Sequence, residues 1–303
     1  MLAFATAFTD DGRYRPSRLS DGRPDLQGTW VHNDATPLVR PAGFPAVISS
    51  QQAVAIETMV FGVLLDPNVP NDPVSDITPK HVMPIRGTLR SSIVIEPEDG
   101  LIPGTARFKE QSEKNRFNIL NAMDGPEQRP TSERCLGNAA SQPPILYNPG
   151  TNMHQIVQTK DTVVFFSEIM HDARIIRLNA THAPAAVTSW LGDSIGWWEN
   201  DTLVVETKNF TLSDTGRSVP FVLYYVSPQT TVTERFTRVS DNELNYVFTV
   251  DDPVYYMRRW KGETHFSRSE DRMFEYSCHE GNYSLTHILQ DARAHERVPL
   301  SKK

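Results

Sequence analysis

The chain has 303 residues, 39% hydrophobic and 22% charged, an ordinary globular composition with enough apolar material for a substantial core. Thirty Lys plus Arg against 37 Asp plus Glu give a formal net charge of −7, and no basic run is present to neutralise phosphates, which argues against nucleic acid as a partner. No segment approaches the roughly 18 to 20 continuous apolar residues that a helix needs to cross a bilayer.

The opening run Met1-Leu2-Ala3-Phe4-Ala5-Thr6-Ala7-Phe8 is too short for a complete signal peptide and reads as the remnant of one or as an added start. Residues 1–23 form an N-terminal extension, and a single β domain is expected over 24–303, with a helical and loop insertion at about 31–150. Pro24-Asp25-Leu26-Gln27-Gly28-Thr29-Trp30 reads as a strand entry in which Gly28 lets the backbone pass close to its neighbour. Its Gly-x-Trp is similar to the opening of lipocalin-type barrels.

A serine cap at Ser49-Ser50 followed by good helix formers predicts a helix that ends before Asp66-Pro67. Arg90–Glu96 is β-branched and bounded by Pro97, so it reads as a strand, and Thr105–Ala122 reads as a second helix. Pro126–Pro149 is loop. Beyond Asn152 the pattern becomes an antiparallel meander of strands at 155–158, 163–176, 195–198, 202–207, 230–239, 244–250, 255–260 and 274–279. The predicted fold is therefore mainly β: an antiparallel, lipocalin-like barrel with helical insertions in the N-terminal half.

Two packets of ionisable residues stand out. Read as one strand, 163–176 places Phe165, Ile169 and His171 on one face and Glu168, Asp172 and Arg174 on the other, where Asp172 and Arg174 would pair. In Phe274–Glu280, Tyr276, Cys278 and Glu280 share a face, which would carry Glu280 inward, where desolvation fits a carboxyl for proton transfer. Alternatively, Gly281 would let His279 swing in. The candidate catalytic set is thus His171 with Glu280 or His279; the competing reading is that these charges organise loops at a barrel end. Tyr147, Tyr276 and Arg134 are candidate donors to an oxyanion or hydroxyl. His154, Asp172, Arg174 and Trp198 complete the candidate substrate-binding set.

The chain has neither a dinucleotide or P-loop fingerprint nor a Gly-x-Ser-x-Gly elbow, and its histidines lack the compact spacing of a zinc site. Neither cofactor nor metal is expected. Cys135 and Cys278 either bridge or stand as buried thiols. Asn179, Asn200, Asn209 and Asn282 each open a glycosylation acceptor triplet.

Taken together, the segments Ile169-Met170-His171-Asp172-Ala173-Arg174-Ile175-Ile176, Trp190-Leu191-Gly192-Asp193-Ser194, Asp201-Thr202-Leu203-Val204-Val205-Glu206-Thr207, Glu234-Arg235-Phe236-Thr237-Arg238-Val239 and Cys278-His279-Glu280-Gly281-Asn282-Tyr283 resemble a family of poorly characterised, mostly bacterial exported proteins. The resemblance implies a single lipocalin-like domain, secreted or periplasmic, whose signal peptide is absent from this chain. His154 and Asn200 depart from the family, which more often has Tyr and Gly at those positions. Similar proteins occur in natural-product pathways. The expected function is therefore a cofactor-independent acid/base dehydratase, cyclase or isomerase acting on a hydrophobic or aromatic small molecule. A non-catalytic binding protein and a metal-dependent hydrolase are the alternatives.

Overall fold

The computed structural model describes residues 14–65, 81–148, 150–212, 216–219 and 222–296, so the Met1–Phe8 run lies outside the described residues. Its centre is a closed barrel whose strands join in the order β1 (Gly28–Val31), β3 (Met153–Gln158), β4 (Thr162–Ser167), β5 (Asp172–Leu178), β6 (Asp193–Glu199), β7 (Thr202–Lys208), β10 (Thr231–Arg238), β11 (Glu243–Asp251) and β12 (Trp260–Ser269). β1 pairs with β12 and closes the cylinder. β2 (Val94–Glu96) adds to the edge of β12, and β8 (Arg217–Val219) with β9 (Val222–Tyr224) forms a separate hairpin. The segment Gly28-Thr29-Trp30, read from the sequence as a strand entry, is the strand that closes the barrel across the insertion.

The barrel is mixed rather than purely antiparallel, because β5 and β6 run parallel and the chain must cross between them through residues 179–192. The main correction to the sequence reading is at 163–176, which is a tight hairpin and not one strand. Glu168–His171 make the turn, with Met170 and His171 both in the left-handed region at φ 61° and 56°. Ser167 then faces Asp172, and Phe165 faces Arg174. Opposed residues of an antiparallel pair share a face, so Arg174 enters the interior beside Phe165 instead of pointing away from it.

The predicted strand at 255–260 is a turn set on Asp252, whose Oδ1 accepts from the N–H groups of Val254 and Tyr255. Strand structure resumes at Trp260. Likewise 274–279 is not a strand: the chain there is loop leading to a single helical turn α3 (Cys278–Gly281) and then α4 (Tyr283–Glu296). Within Arg90–Glu96 only Val94–Glu96 is strand.

Two helices appear where predicted. α1 (Ser50–Leu65) opens on a reciprocal cap, the Gln52 N–H donating to Ser49 Oγ and the Ser49 N–H to Gln52 Oε1. α2 (Ala106–Asn121) is capped by Thr105, whose Oγ accepts from the Phe108 N–H.

Alternation on each strand fills the barrel with large side chains. Trp30, Phe165, Phe236, Tyr246, Phe248 and Phe266 are fully buried, each contributing on the order of 2–3 kcal/mol through burial. One end is sealed by Trp30, whose indole N–H donates to Leu26 O at 2.9 Å. The guanidinium groups of Arg238 and Arg268 lie over its ring at 5.8 and 5.6 Å. Gly28 is favoured there by its backbone, which sits at φ 126°, where a side chain would be strained.

The other end is plugged by the loop 138–148. Its residues Asn138–Tyr147 are all buried, and Leu146 N–H donates back to Ala139 O. Arg217 donates to Pro143 O at 2.5 Å, tying the β8–β9 hairpin to the plug.

Candidate functional site

Beneath the plug, the apolar barrel interior holds a buried polar cluster. Arg174 Nη1 lies 3.0 Å from Glu234 Oε2 and 3.2 Å from Oε1. Tyr246 donates its hydroxyl proton to Glu234 Oε1 at 2.8 Å and accepts from the Ile145 N–H of the plug at 2.9 Å. Burial, then the Glu234 charge, holds the Tyr246 phenol well above its ordinary range. The partners sit at 3% and 0% side-chain exposure, so this ion pair is almost wholly desolvated.

Two histidines share the interior. His154 Nδ1 meets Ser167 Oγ at 3.0 Å, and burial, then the Arg174 charge, pushes its pKa down to about 3. His32 Nε2 lies 3.0 Å from Thr264 Oγ1, which donates its own proton to Asp34 Oδ2 at 3.2 Å. Thr264 has one proton, so His32 donates through Nε2 and leaves Nδ1 as a bare acceptor. Burial, then the charges of His265 and His154, pushes His32 well below the usual imidazole value. Both rings are neutral at pH 7. Each packs on Phe266, with centroids 5.3 and 5.4 Å away.

Above the plug lies a cavity of about 340 Å³, at the low end of the range of small-molecule sites. Leu38, Ile93, Leu146, Tyr147 and Val222 line it from the barrel side, and Met59 and Val60 line it from α1. Thr36 and Tyr147 are its polar lining side chains. The Thr36 hydroxyl donates to Asp34 Oδ1 at 2.6 Å, while burial pushes the Tyr147 phenol above its ordinary range and keeps it protonated. The Tyr147 ring stands edge-on to His32 at 6.4 Å, so one aromatic layer separates the cavity from the cluster below.

No family model, no curated protein and no solved structure matches the chain. Assignment of the site therefore rests on the geometry.

Of the ten residues singled out from sequence, His154 and Arg174 enter the barrel cluster and Tyr147 lines the cavity above it. Trp198 is half-buried on β6, opposite Leu203 and packed on the core away from the plugged end. His171 is exposed, its ring edge-on to Phe166 at 4.8 Å. Asp172 is half-buried and accepts from Ser141 Oγ at 2.6 Å; burial raises its pKa and the Ser141 bond partly offsets this. The expected Asp172–Arg174 pair is replaced by Arg174–Glu234, because the hairpin turns Arg174 inward.

His279 and Glu280 are exposed on α3, Tyr276 is exposed at 37%, and Arg134 is half-buried in the turn before Cys135. The inward position expected for Glu280 depended on a strand that does not form. The two packets do approach each other, but on the outer rim: the Phe274 N–H donates to Glu168 Oε2 at 2.8 Å, and Thr151 donates to Oε1 at 2.5 Å. Cys135 and Cys278 form a disulfide that joins α3 to the loop leading into the plug.

Sequence reasoning missed Glu234, Tyr246, His32, Asp34 and Thr264. For Glu234 a signal existed: between Val232 and Phe236 a carboxylate occupies a face otherwise set for the core. His32 likewise follows Trp30 at the strand spacing of two. Among the described residues, no group of three or more His, Cys, Asp or Glu is placed to hold a metal ion.

Proposed function

We propose that the protein binds an apolar small molecule in the cavity at the plugged end of its barrel. The observation that carries this reading is the lining: about 340 Å³, partly open to solvent and lined among the described residues almost entirely by aliphatic side chains, with no charged residue among them. Such a surface gains from excluding water and offers nothing to a charged solute. The disulfide between Cys135 and Cys278 supports an exported protein, since such bridges persist in oxidising compartments.

A second reading, dehydration, cyclisation or isomerisation of that same molecule, is favoured by one group. Burial raises the pKa of the Tyr147 phenol on the cavity wall, which makes it a weaker acid but keeps it a neutral hydrogen-bond donor of the kind that stabilises a developing oxyanion. His171, His279 and Glu280 are exposed, so they lend this chemistry no support from burial.

The test is titration with the neutral dye N-phenylnaphthylamine. Saturable, one-to-one fluorescence enhancement is expected, and Val222→Trp, which fills the cavity from the β8–β9 hairpin, should weaken it at least tenfold. Binding unchanged in the folded variant would place the dye elsewhere and overturn the assignment.

A further inference from the structure

Arg174 is 3% exposed and uses only Nη1 on Glu234; its Nε and Nη2 have no hydrogen-bond partner among the described residues. His154 Nε2 and His32 Nδ1, both fully buried, are unpartnered as well. Buried polar groups are nearly always satisfied, and each orphan calls for an explanation. Four orphan atoms occur on three side chains linked through Phe165 and Phe266: Arg174 lies over Phe165 at 5.6 Å, and both histidines pack on Phe266. A guanidinium edge formed by Nε–H and Nη2–H is a fork for oxygen.

The charge balance selects the kind of oxygen. Arg174 is already neutralised by Glu234, and the two imidazoles are uncharged. A second carboxylate would leave net negative charge in a desolvated interior beside Glu234, which is unfavourable. A neutral acceptor meets the fork without that penalty.

We infer that the barrel cluster receives a carbonyl oxygen, on Arg174 Nε–H and Nη2–H, from a ligand whose apolar body occupies the cavity above. The inference rests on the cavity reading and adds the ligand class: a neutral ketone, aldehyde, ester or quinone. The Tyr147 ring separates the cavity from the cluster, so the ligand enters by displacing Ile145–Tyr147, a loop segment tied at this level to the barrel wall by the Ile145 N–H to Tyr246 bond.

The experiment compares three diphenyl probes that differ at the central carbon, benzophenone, diphenylmethane and diphenylacetate, on the intact protein and on two variants. Wild type should bind benzophenone about tenfold more tightly than diphenylmethane, with the bound carbonyl stretch displaced to lower frequency. R174Q/E234Q, which removes both charges together, should bind the two equally and lose much of the displacement. E234Q keeps the fork but makes the cluster cationic, and should shift preference toward diphenylacetate, a gain of function that a structural role for the pair would not produce. Equal binding of benzophenone and diphenylmethane by wild type, as when ordered waters alone satisfy Arg174, would overturn the carbonyl assignment while leaving the cavity reading intact. Failure of all three probes to bind would overturn both.

Discussion

Breaking the Arg174–Glu234 pair from one side should be among the most damaging single changes available in the barrel. In R174Q, Glu234 keeps only the Tyr246 hydroxyl as donor, at zero exposure and with no cation to oppose its charge. Removing one partner of a buried pair costs about 3–5 kcal/mol, because the other charge stays desolvated. That is a large part of the roughly 5–15 kcal/mol that stabilises a typical domain. E234Q should cost a similar amount, since it strands the guanidinium. The double variant R174Q/E234Q leaves two neutral amides that can bond each other, and the β10 amide still offers an oxygen to Tyr246; its cost should fall to about 1–2 kcal/mol. The cycle therefore predicts a coupling energy of several kcal/mol. Urea unfolding of the four proteins, followed by tryptophan fluorescence and far-UV circular dichroism, measures each term. If R174Q cost less than about 1 kcal/mol, or if the double variant were as unstable as the sum of the singles, the pair would not be the desolvated unit described.

Two further outcomes follow from the same geometry. His32 and His154 are neutral in the fold but charge in the unfolded chain near pH 6.5, so the unfolded state binds more protons as pH falls from that value toward the lowered folded pKa, which for His154 is about 3. Stability should therefore decline on acidification across that window, by up to about 1.4 kcal/mol per pH unit for each histidine; H154Q should remove one proton's share of the slope, and an unaltered urea-midpoint profile would contradict the assignment. Separately, α4 has no fully buried residue, and its polar ties to the rest of the chain include the Cys135–Cys278 bridge just before it, Asn282 on Glu133 O and Arg293 on Met123 O and Asp124 O. Reduction should strip amide-exchange protection from residues 283–296 while the barrel strands keep theirs, and retained protection of that helix would show that it docks without the bridge.

Most of the barrel could be read from the sequence because its strands bury one face and keep strict alternation. Thr231–Arg238 and Met153–Gln158 each alternate buried with more exposed residues along their whole length, the pattern that periodicity detects. β12 escaped because its inward positions Trp260, Gly262, Thr264 and Phe266 include a glycine and a threonine. Gly262 is there to make room: a Cβ would meet the Phe248 ring at 2.2 Å. Phe274–His279 misled for the opposite reason. Its aromatics alternate like a strand, yet among the described residues no strand pairs with it; Phe274 stays 73% exposed, and a carboxylate and a disulfide hold the segment.

The hairpin at Glu168–His171 could not be read from local composition because it lacks the glycine, proline or asparagine that usually marks a reversal. What bends the chain there is tertiary: Glu168 is buried at the rim, accepting from Thr151 Oγ1 and the Phe274 N–H, and Ile169 is buried beside it, so Met170 and His171 take up left-handed geometry. Because Ser167 pairs with Asp172, residues of opposite parity on the two sides of the turn come to share a face. Ala173 and Ile175 therefore leave the face of Phe165, and Arg174 enters it. A cation delivered into an aromatic barrel requires an anion, and Glu234 on β10 supplies it across the interior. The position of one turn thus decides which charge the barrel must accommodate, and with it where the unpartnered donors of the site lie.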